Sequence, residues 1–69
     1  MPQLDIKRKI DLANHIIDLA ATQKVVLDSS QGYEILNNIF KKYGDNVKIT
    51  EGILKSGIIE YLFNFYLGR

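Results

Sequence analysis

Sixty-nine residues make one domain, 1–69, and leave no room for two. A chain this short buries only about 60% of the surface it exposes when unfolded, so it leans on disulfides, metals or oligomerisation. With no cysteine, one histidine (His15) and nine basic against eight acidic residues, the chain lacks thiolate or zinc chemistry, and its charge is too balanced to announce a polyanionic partner.

Self-association is therefore the expected support, and no metal or other cofactor is expected. The hydrophobic fraction of 46% with 25% charged residues describes a folded globule. Lys7, Arg8 and Lys9 could begin a signal sequence, but Asp11, Asn14, His15 and Asp18 interrupt the apolar stretch that should follow. Ile58–Leu67 is broken by Glu60 and Asn64 and is too short to span a bilayer. The expectation is a soluble cytoplasmic protein with no membrane contact.

The first predicted element runs from about residue 5 to 21. Ile6, Ile10, Ala13, Ile17 and Ala20 recur at helical spacing, and Leu12, Ile16 and Leu19 widen the stripe. An apolar face this broad should meet two neighbours. Lys7, Arg8, Asn14, His15 and Asp18 gather on the other side, a solvated polar face.

Next comes Lys24-Val25-Val26-Leu27, flanked by polar residues. A β-branched run of this kind predicts a short strand at 23–28, with an extended linker as the alternative. Asp28 or Ser29 then caps a helix over 29–43, and Gln31 stands where a capping box wants an amide or carboxylate. Tyr33, Ile35, Leu36, Ile39, Phe40 and Tyr43 supply its apolar side. Lys41 and Lys42 suit its negative end, and Gly44 suits the residue just past it.

Thr50 is the predicted cap of a third helix over 50–67, with Glu51 in the first turn and a staple between Ile49 and Leu54. That helix is apolar nearly all round, from Ile53 and Leu54 through Ile58, Ile59, Tyr61, Leu62, Phe63, Phe65, Tyr66 and Leu67. Such a helix should be buried on most sides. Two other elements cannot wrap it, so a second chain is the expected cover. The dimer contact is placed at Ile53, Ser56, Gly57, Tyr61 and Phe63, the small pair permitting close approach.

Little here suggests catalysis. His15 and Asp11 stand one turn apart, which would orient an imidazole but more simply describes a solvated pair. Glu34, Glu51 and Glu60 form no evident carboxylate pair. No glycine-rich phosphate loop or nucleophile elbow occurs, and Ser29 and Ser30 serve better as caps than as nucleophiles. Tyr61, Phe63, Phe65 and Tyr66 could stack nucleic-acid bases, but packing in a core or dimer explains them more simply. The expectation is a non-enzyme.

The order of short strand, capped helix, glycine turn and capped helix over residues 24–67 resembles the ribbon-helix-helix DNA-binding domains of the MetJ/Arc/CopG type. Lys24-Val25-Val26-Leu27 stands as ribbon, 29–43 as first helix, Gly44 as turn, and Thr50-Glu51-Gly52-Ile53-Leu54-Lys55-Ser56-Gly57 as the start of the second helix. The helix in residues 1–22 has no counterpart in a minimal member of that family. A second register would put the ribbon at Leu4-Asp5-Ile6-Lys7.

The resemblance implies a mainly α, intertwined homodimer whose core spans residues 23–69, with paired ribbons in the major groove of DNA. Lys24, Val26 and Asp28 would face the bases, and the amides near Thr50 and Glu51 would hold phosphate. A small DNA-binding regulator is the function this implies. The alternative, from the residues alone, is an all-α three-helix bundle acting as a protein-interaction module, such as a phage-encoded inhibitor, antitoxin or adaptor.

Overall fold

Three helices account for nearly the whole chain: α1 (Pro2–Thr22), α2 (Ser29–Tyr43) and α3 (Glu51–Leu67). The computed structural model describes the backbone of residues 2–68 and the side chains of residues 6–68. Among the described residues there is no strand, so the molecule is the all-α three-helix alternative. Residues 4–7, the second candidate for a ribbon, lie inside α1.

The expected strand at 23–28 is replaced by a helix stop. Lys24 adopts φ 65°, a left-handed conformation that no strand tolerates. Its amide donates to the Ala21 carbonyl, and the next amide, Val25, donates to Ala20, both at 2.9 Å. Those two bonds are the paired closure of a Schellman motif, with lysine where glycine is usual. Val25 then folds back onto the core, Leu27 is buried, and Val26 points outward at 93% exposure. The β-branched run is there to plug and exit a helix end.

Local chemistry sets the other boundaries as expected. The Asp28 side chain accepts from the Gln31 amide at 2.9 Å, and the Gln31 side chain accepts from the Asp28 amide at 3.0 Å, completing a capping box. Gly44 ends α2 at φ 95°, ψ 160°, a region reserved almost wholly for glycine, and its amide still reaches the Phe40 carbonyl. The Thr50 hydroxyl accepts from the Ile53 amide at 3.2 Å and starts α3. Ile49 and Leu54, the expected staple, share one apolar cluster.

The core is built from Ile16 and Ala20 of α1, Leu27 of the α1–α2 connection, Ile35, Leu36, Ile39 and Phe40 of α2, and Leu54 and Ile58 of α3. α1 touches both other helices, as its broad face requires. Ile6 and Ile10, at the start of that stripe, nevertheless remain exposed. Two glycines let the helices approach. A Cβ on Gly32 would stand 3.1 Å from the Ala13 carbonyl oxygen, and one on Gly57 would stand 2.7 Å and 2.9 Å from the Ile39 side chain. Ile39 is 2% exposed and has nowhere to retreat.

Three outcomes follow for stability. Lys24→Gly relieves the left-handed lysine and should raise stability by about 1 kcal/mol, a gain of roughly 4–8 °C in Tm by calorimetry. Gly57→Leu forces carbon into Ile39 and should cost about 2 kcal/mol or more in urea unfolding. Gly52→Ala, which meets only its own Thr50 at 3.8 Å, should stay within about 0.5 kcal/mol of the parent.

Candidate functional site

The residues first expected to touch DNA have visible local duties. Asp28 and Thr50 each give their side-chain oxygen to a helix cap. Lys24 closes α1, Val26 is a lone exposed side chain, and Glu51 puts a carboxylate in the first turn of α3. Within one chain, residues 24–28 join α1 to α2 while 50–51 begin α3. His15 and Asp11 are exposed on α1. Among the described residues no group of three or more His, Cys, Asp or Glu could hold a metal ion, and no helix is long and apolar enough to cross a membrane.

The five residues expected at a dimer contact separate into two sets. Ile53 and Tyr61 are half-buried and pack on the core, and Gly57 lies against Ile39 of its own chain. Ser56 and Phe63 face out and are exposed. The expectation that α3 is buried on most sides therefore does not hold for the single chain, where only Leu54 and Ile58 are fully covered.

α3 carries two apolar faces on opposite sides. At 100° per residue, Leu54, Ile58, Tyr61 and Phe65 fall on the inner side, and Gly52, Ser56, Ile59, Phe63 and Tyr66 fall on the outer one. The outer set is spaced four, three, four and three residues apart, the rhythm of a helix-pairing seam. Ile59 is 67% exposed, Phe63 62%, Tyr66 68% and the flanking Leu67 69%. Their exposed surface comes to roughly 600 Å² on one side of one helix, at the top of the range for the largest apolar patch of an ordinary monomer. The aromatics do not make a single stacking platform. Tyr61 and Phe65 stack on each other at 6.1 Å, Phe65 stays half-exposed and meets Tyr66 edge-on at 5.2 Å, and Phe63 belongs to the outer stripe.

Beside the stripe lies an open groove of about 770 Å³ between α2 and α3. Glu34, Asn38, Lys41, Asn64 and Phe65 contribute to its walls, and a Lys42–Glu60 ion pair at 3.3 Å bridges the two helices there. Both partners are more than half exposed, so this pair adds little stability. At its far end the Gln31 amide donates to the Tyr61 hydroxyl at 3.4 Å, a long bond linking the α2 cap to α3. The groove is mixed in charge and presents no convergent acid, base or nucleophile.

Comparison with protein-family models, curated proteins and solved structures finds no match to this chain. Ile59, Tyr66 and Leu67 were read as part of an all-round apolar helix and not placed at the expected dimer contact, although the four-three spacing carried the signal. It was masked by the inner face, which fills the gaps in the pattern. Two adjacent isoleucines test the division. Ile58→Ala should cost about 2–5 kcal/mol, whereas Ile59→Ala in dilute protein should change unfolding by less than about 0.5 kcal/mol.

Proposed function

We propose that this chain is a non-enzymatic protein-interaction module that presents the outer face of α3 to a protein partner. The observation that carries this reading is the exposed stripe of Ile59, Phe63, Tyr66 and Leu67 on a helix whose inner face already serves the core. A soluble fold gains nothing by displaying that much contiguous apolar surface unless something covers it. Aromatic side chains on a rigid helix are also the usual anchors of a helix-in-groove or helix-on-helix contact.

The charge distribution points the same way. α3 holds one basic residue, Lys55, against Glu51 and Glu60, so this face offers phosphate almost nothing. The DNA-binding expectation needed a ribbon at 23–28, where the chain instead forms a helix stop and a capped turn. No observation favours it over the interaction reading.

Two measurements test the proposal together. A photoreactive phenylalanine analogue at position 63 should give a protein adduct in cells, and the same group at exposed Asn37 should give none. Fluorescence anisotropy of mixed-sequence duplex DNA should stay flat at low salt. Equal labelling at 63 and 37, or DNA binding that falls steeply with salt, would overturn the interaction reading.

A further inference from the structure

We infer that the partner of this face is a second copy of the chain, docked with the two α3 helices antiparallel. The inference rests on the interaction reading and adds its occupant and geometry. Side-chain size along the stripe decides the direction. Small residues, Gly52 and Ser56, occupy its N-terminal half, and large ones, Phe63 and Tyr66, its C-terminal half, with Ile59 between.

A parallel pair would set Phe63 on Phe63 and Tyr66 on Tyr66, and leave a gap where Ser56 meets its own copy. Close-packed interfaces do not tolerate such a void. The antiparallel pair, with its two-fold axis beside residue 61, sets Ile59 against Phe63 of the second copy and Tyr66 over Ser56 of the second copy. Each large side chain then meets a smaller one, which is knobs-into-holes packing.

The flanks agree with this arrangement. Leu67 falls beside Ile53 of the second copy. The two Glu60 carboxylates come near each other at the axis, a repulsion that the Lys42 of each chain, 3.3 Å away, offsets. At most roughly 600 Å² from each chain, about 1,200 Å² in total, could be covered, which is the lower limit for a specific interface and describes a weak, reversible pair.

Sedimentation equilibrium from about 1 μM to 1 mM should show a reversible monomer–dimer transition. Phe63→Glu, at an exposed position where circular dichroism should show the fold retained, should raise the dissociation constant at least about thirtyfold, the equivalent of a 2 kcal/mol hot spot. Because the chain has no cysteine, a mixture of Ser56→Cys and Tyr66→Cys chains reports the register. Oxidation should give mainly the mixed 56–66 disulfide. Homodimeric disulfides in excess would overturn the antiparallel register, and a dimer unaffected by Phe63→Glu would overturn the interface. A chain that stays monomeric while position 63 crosslinks to a different protein would overturn the second copy and leave the interaction reading standing. A monomer with no crosslink above the control would remove both.

Discussion

The crossing of α3 over α2 at Gly57 sets the rotation of the most apolar helix in the molecule. Without a Cβ at that position, α3 comes close enough for Ile39 to occupy the space a side chain would fill. Once that contact is made, Leu54 and Ile58 must turn into the core. Ile59, Phe63 and Tyr66 must then turn to solvent, because they stand on the far side of the same helix. The outward stripe is thus a geometric consequence of the inward packing, and a bulkier residue at 57 would shift both together.

The rest of the bundle supports that crossing from its ends. The Asp28–Gln31 box starts α2, and the Gln31 side chain also reaches Tyr61, so the helix that receives α3 and the helix that crosses it share a residue. At the other end, Lys9 lies 5.6 Å over the Phe40 ring and closes the core with a cation on an aromatic face. Thr50 caps α3 and fixes where its first turn begins. None of these contacts is strong alone. Together they hold three helices in one arrangement with a small core.

A chain of this size has a limited choice of what to do with a doubly apolar helix. Burying both faces within one copy would need a further element beside the three helices that the described residues form. Exposing one face without a partner invites non-specific association. A graded stripe, small at one end and large at the other, turns the same surface into one that accepts a defined orientation. That is how the proposed interaction role would follow from a marginal fold.

By itself the sequence determined the three helices, their caps at Asp28 and Thr50, and the glycine stop at Gly44, because each depends on side chains hydrogen-bonding to a backbone a few residues away or on a φ that only glycine adopts freely. It also determined Ile35, Leu36, Ile39 and Phe40 as the core face of α2, while Tyr33 and Tyr43, expected on the same side, stay exposed at the two ends of the helix. Residues 24–27 were misread because a β-branched run is the same signal in a strand and in a chain packing back from a Schellman stop. Nothing local announced that Lys24 would take a left-handed conformation. The face that α3 turns outward was decided only by tertiary structure. A helix apolar all round has no periodicity to read, and its orientation follows from which side can come closest to its neighbour, here the side bearing Gly57.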